Sequence, residues 1–183
     1  MSTELATIVQ IDVSTKTYPS TFTVVDLDDF SILMDGKGRW IAAKVKPNSN
    51  SLYVVRGIGG RANRQFQLMH RVILGLRDSR IQSDHKNGDT LDNRRSNLRP
   101  STQVQNSRNV KRRSNGTSKF KGVSWDKERN LWTVSIRGID RPTRESLGRF
   151  KDEIEAAKAY DAVALIRYGE FARLNFPEEC RGK

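Results

Sequence analysis

Thiols are nearly absent from this chain, with Cys180 as the one cysteine in 183 residues. No internal disulfide can form, and a zinc site built on thiolates is out of reach. That usage suits a reducing cytoplasm, the expected location. Long apolar runs are missing as well. Nowhere do about 18 apolar residues follow one another, and the opening MSTELATIVQ lacks a basic-then-apolar leader pattern. A membrane partner is therefore not expected. Histidine is confined to His70 and His85. The glycine-rich RGIGG at 56–60 lacks the following lysine and serine or threonine of a phosphate loop. Negative charge is also in short supply, so the chain carries a net charge of +12.

What the chain does have is positive charge concentrated in its middle. Residues 1–60 hold 6 basic and 6 acidic side chains, residues 61–120 hold 14 and 4, and residues 121–183 hold 13 and 11. A block of this kind attracts phosphate-rich polymers. The pattern predicts an α+β protein. Residues 1–65 read as a β-rich segment: TFTVVDLDDF is a strand, and GRWIAAKV and SLYVVRG flank the turn KPNSN as a hairpin. Asp26, Asp28 and Asp29 are expected in a solvated turn rather than a metal cluster. FQLMHRVILGL has helical spacing, with Phe66, Met69, His70, Ile73 and Leu74 near one face. STQVQNSRNV predicts a short helix capped by Ser101, and the basic stretch through KRRSNGTSK, residues 111–120, reads as a flexible linker.

Beyond the linker, KGVSW, LWTVSIRG and ESLGRF predict three strands. In the second, Trp132, Val134 and Ile136 alternate with Thr133, Ser135 and Arg137, so one face is apolar and the other polar. DEIEAAKAYDAVALIRYG predicts a helix, with Asp152 and Glu155 as a capping box and Gly169 as its left-handed stop. Its alanines let a helix approach a sheet closely.

The stretch SDHKNGDTLDNRRSNLR, Ser83 to Arg99, raises the question of chemistry. Phosphodiester hydrolysis needs a base to deprotonate water and a cation to bear charge on the phosphate. His85 can be that base. Asp84 can supply a hard oxygen ligand and an asparagine amide another, a set suited to magnesium or manganese. DHKNGDTLDNRRSNLR followed by QNSRN resembles the HNH nuclease motif, in the variant of phage homing endonucleases. The resemblance implies a nuclease module over residues 66–110, two strands and a helix around a single Mg2+ or Mn2+. It places His85 as general base, Asp84 as metal ligand and Asn97 as the residue that bonds the loop and orients the histidine. The last position, the metal ligand on the helix, falls on Asn106, with Asn109 as a close alternative. Arg94, Arg95 and Arg99 are candidates to hold flanking phosphates or else solvated loop arginines.

Residues 121–177, with KGVSW, SIR, LGRF, EAAKAYDAVALIRYG and LNFP, resemble the APETALA/ethylene-response-factor DNA-binding domain. The resemblance implies a three-stranded antiparallel sheet backed by one helix, its open face against double-stranded DNA. The family's DNA-facing positions fall at Lys121, Ser124, Arg129, Ser135, Arg137, Arg144, Ser146, Arg149 and Tyr160. Ser124, Ser135 and Ser146 depart from the plant pattern, so the plant target sequence does not transfer. Together the two resemblances imply a site-directed, metal-dependent DNA endonuclease, leaving 5′-phosphate and 3′-hydroxyl ends. Lys111, Arg112 and Arg113 of the linker would track the backbone. A monomer without an obligate protein partner is expected. The alternative is a sequence-specific DNA-binding regulator with an inactive nuclease module. Binding or cleavage of RNA is the weaker third reading, since the polar sheet face has few aromatics for base stacking.

Overall fold

The computed structural model describes residues 7–45, 51–110, 116–138 and 143–180. The chain divides into two compact units, Met1–Gln103 and Val104–Lys183.

In the N-terminal unit, β1 (Ile8–Asp12) pairs antiparallel with β2 (Phe22–Asp26), which runs directly into α1 (Leu27–Leu33). The predicted hairpin is present: β3 (Ile41–Ala43) pairs with β4 (Tyr53–Ile58), Ile41 opposite Val55, while the KPNSN turn lies outside the described residues. The expected helix over FQLMHRVILGL is corrected. Its first residues form β5 (Gln65–Leu68) on the other edge of β4, and α2 covers only Met69–Ile73. Backbone pairing along β4 outweighs the helical spacing there, and Phe66, opposite Gly57, is left 69% exposed. Val13, Val25, Leu33, Trp40, Val54, Met69 and Ile73 form the core with Leu98. A ribbon of β6 (Gln82–His85) and β7 (Leu98–Ser101) sets Asp84 opposite Arg99 and His85 opposite Leu98.

The C-terminal unit takes in α3 (Gln103–Arg108), apart from its first residue. Ser101 does not cap that helix as expected. It ends β7, and its buried hydroxyl has no hydrogen-bond partner among the described residues. The three predicted strands are β8 (Val123–Asp126), β9 (Leu131–Arg137) and β10 (Arg144–Phe150), antiparallel in the order β10-β9-β8. The helix α4 (Glu153–Tyr168) is capped by Asp152, whose carboxylate accepts from the Ile154 and Glu155 amides at 2.8 and 2.9 Å. Ala156, Ala157 and Ala164 lie against Val123, Val134 and Ile136 with no exposed surface of their own. The small side chains let α4 sit close to the sheet. At Gly122, with φ +82°, an added Cβ would lie 2.0 Å from the Tyr160 ring, so only glycine fits beneath it. Asp161 secures the following segment by accepting from the Asn175 and Phe176 amides.

Candidate nucleic-acid interface

The apolar face of the C-terminal sheet meets α4, as the alternation in LWTVSIRG predicts. Val134 and Ile136 are buried, and Trp132 packs against them. The opposite face carries Ser124 on β8, Thr133, Ser135 and Arg137 on β9, and Ser146 on β10, with Arg144 and Arg149 beside them. Cross-strand pairs set Ser124 and Arg149 against Thr133, Ser146 against Ser135, and Arg144 against Arg137. Strict alternation along β10 would turn Arg149 toward the helix, because it is an odd number of residues from Ser146. A β-bulge between Ser146 and Gly148 absorbs one residue, so Arg149 returns to the polar face.

This face is electrostatically unbalanced. Arg137, Arg144 and Arg149 are exposed, and none forms an ion pair among the described residues. Arg144 bonds the Ser135 hydroxyl at 3.3 Å, and the Ser124 and Thr133 hydroxyls bond each other at 2.9 Å. The strand's own acid, Glu145, lies opposite Ile136 and takes Arg167 instead. Three other residues placed on DNA by the resemblance sit differently. Arg129 is held by Asp126 in the β8–β9 turn. Lys121 points its amine at the Arg108 and Val110 carbonyls, at 2.5 and 2.8 Å. Burial, with Arg173 and Arg108 nearby, pulls that amine down to about 8. Tyr160 is buried against Gly122, a core role that corrects its DNA-facing assignment. Lys111, Arg112 and Arg113 lie outside the described residues. Arg108 lies outside the positions that the sequence marks. The alternation marks Thr133, whereas nothing local in NSRNV marks Arg108.

The histidine stretch in the N-terminal unit is tightly knit. His85 is only 5% exposed, with its ring edge-on to His70, 5.1 Å between centroids, and with Tyr53 at 6.3 Å. Its Nε2 lies 3.3 Å from the Asn93 amide oxygen, and burial holds its pKa below the ordinary value. Burial, with His85 and Arg71 beside it, lowers His70 to about 3. Asp84 accepts both Nε and Nη2 of Arg99, at 2.9 and 2.5 Å, in a pair that is almost wholly buried. Asn97 makes the expected loop bonds, accepting from the Asn87 amide and donating to the Asp92 carbonyl.

The three arginines offered for phosphates are held by aspartates here: Arg94 by Asp92, Arg95 by Asp29 and Arg99 by Asp84. Of the acidic trio only Asp28 is exposed, and the three residues span the end of β2 and the start of α1 rather than a solvated turn. Asp29 is buried under Arg95, and Asp26 accepts the Arg95 amide. Asn106 and Asn109 fall in the other compact unit. Asp84 pairs with Arg99 through Oδ2, and among the described residues no group of three or more acidic, histidine or cysteine side chains stands together. No described helix is long and apolar enough to cross a membrane.

No family model matches the chain. Dehydration-responsive element-binding protein 2E of Arabidopsis thaliana is 39% identical over 79 residues, which are 37% of this chain and 31% of that protein. Ethylene-responsive transcription factor ERF024 of the same plant is 43% identical over 58 residues, 32% of each chain. The chain thus spans about a third of the length of these two plant relatives. Protein 3.8 of Escherichia phage T7 is 34% identical over 92 residues, which are 49% of this chain and 72% of that protein. The plant names designate binding proteins and transcription factors rather than enzymes, and they overturn the expectation of a hydrolase.

Proposed function

The chain belongs to the family of Protein 3.8 of Escherichia phage T7, and from there we propose that it is a sequence-specific DNA-binding regulator. Its C-terminal sheet would lie against double-stranded DNA, as the likeness to an element-binding protein and a transcription factor suggests. One observation carries the reading: Arg137 and Arg144 stand directly opposite each other on an exposed sheet face, with Arg149 on the same side. Like charges in that position destabilise a strand pair. Such a face becomes favourable once a polyanion supplies the missing negative charge. The arginines suit phosphate oxygens and guanine edges, and the short hydroxyls of Ser124, Thr133, Ser135 and Ser146 can serve any base as donor or acceptor. Binding of this kind requires no metal. Asp84, His85 and Asn97 are read as the internal supports of the β6–β7 loop.

Selection of duplexes from a random-sequence pool, followed by affinity measurements with and without a chelator, tests the proposal. The protein should enrich a defined sequence and bind it equally well in EDTA. Enrichment of nothing, or binding that collapses when divalent cations are removed, would refute it.

A further inference from the structure

We propose that Arg108 is a positioning residue for the DNA-reading face, acting through the backbone at the end of β9; this rests on the DNA-binding reading above. Arg137 and Arg144 face each other at the last pair of the β9–β10 ladder. Their repulsion pushes the strands apart where pairing is weakest. The strand end is held from behind. The Tyr168 hydroxyl donates to the Arg137 carbonyl. Arg108 Nη2 donates to the next carbonyl, that of Gly138, at 2.9 Å, while the Gly138 amide donates to Thr143 at 3.0 Å. The Arg108 guanidinium also lies over the Tyr168 ring, 4.5 Å from its centroid, and its Nη1 reaches the Tyr168 hydroxyl at 3.4 Å. A relay therefore runs from Arg108 through Tyr168 to the carbonyl of Arg137.

The choice of side chain points to function rather than to adhesion. Arg108 is 8% exposed and has no ion pair among the described residues. A buried cation without a carboxylate is costly, and an apolar residue of similar volume would hold α3 at least as well. A guanidinium presents a rigid fork that engages the Gly138 carbonyl, the Tyr168 hydroxyl and the Tyr168 ring at once. It also places a positive charge behind the Arg137–Arg144 pair. Lys121 closes the arrangement by donating to the Arg108 and Val110 carbonyls at the end of α3.

The test uses the full chain, with Arg108→Met, Arg108→Lys and Tyr168→Phe variants. The probes are a duplex selected by the wild-type protein from a random pool and a scrambled duplex of the same composition. Amide exchange at Gly138 reads the clamp without DNA. Arg108→Met and Tyr168→Phe should speed that exchange and lower the preference for the selected duplex about tenfold, with affinity for the scrambled duplex and its salt dependence unchanged. Arg108→Lys should restore part of the preference. Faster exchange with an unchanged preference would overturn the inference, and so would equal losses on both duplexes. If Arg108→Met does not fold, Tyr168→Phe, which removes one oxygen, carries the same comparison. A wild-type protein with no preference among duplexes would end the DNA-reading assignment itself, an outcome visible before any variant is made.

Discussion

Arg94, Arg95 and Arg99 of the N-terminal unit each meet an aspartate within 2.6 Å, whereas Arg137, Arg144 and Arg149 of the C-terminal sheet have no carboxylate partner among the described residues. Residues 61–120 hold 14 basic side chains against 4 acidic ones, and residues 121–183 hold 13 against 11. Counted along the chain, the middle looks like the place that grips phosphate. Counted by partner, several of its arginines are neutralised by aspartates brought in by the fold, and the free cations stand on a sheet whose segment is nearly balanced. Charge density along a sequence is therefore a poor guide to charge that a ligand can use. The partner of each charge decides.

The largest expected effect would break the N-terminal half of this comparison. Removing one member of the buried Asp84–Arg99 pair, by Asp84→Leu or Arg99→Met, should destabilise that unit by roughly 3–5 kcal/mol, because the remaining buried charge loses its bidentate ion pair. The double variant should recover most of the loss. Denaturant melts would show both, and affinity for the selected duplex should be unchanged in the folded variants.

Acid should separate the units next. His70 is neutral in the fold, its pKa lowered to about 3 by burial and by its neighbours His85 and Arg71. The unfolded chain takes up that proton from about pH 6.5 downward, so this stabilisation is complete above 6.5 and is lost as the pH falls toward 3. The loss should be on the order of a few kcal/mol and should be absent in His70→Leu. The Asp35 carboxyl, held low by Arg56 and Lys37, adds a loss in the same direction at lower pH.

A smaller effect sharpens the C-terminal half. Arg144→Ala should weaken binding of the selected duplex by about 1–3 kcal/mol. Arg129→Ala should matter less, since Arg129 is already paired with Asp126. Equal losses would show that a bound carboxylate does not disqualify an arginine from the interface. The smallest effect lies at alkaline pH. Lys121 titrates near 8 in the fold and near 10.5 when unfolded, so the unfolded state holds more protons between those values. Stability of the C-terminal unit should rise across that window relative to a Lys121→Met variant.

What the sequence made legible follows from the range of the forces involved. The three C-terminal strands and α4 carry local signals: the alternation of Trp132, Val134 and Ile136, and the Asp152 cap three residues before Glu155. The Asn97 loop bonds are local too. The partners of the arginines are not. Arg95 finds Asp29 across 66 positions, and Arg56 finds Asp35 across 21. The burial of His85 depends on Tyr53 and His70 from other elements. At Phe66 the local helical spacing lost to pairing with β4. Asp84 shows the same thing, since a carboxylate that looks available in a motif is paired with Arg99 from the neighbouring strand.

The most direct measurement is the affinity of the folded full-length variant Arg137→Ala/Arg144→Ala/Arg149→Ala for the duplex that the wild-type protein selects. These three side chains project from the sheet into solvent, away from α4, so the melting profile should stay close to wild type. The account predicts a loss of at least about a hundredfold in affinity together with a shallower dependence on salt. A triple variant that is folded and binds the selected duplex as tightly as the wild type would contradict it.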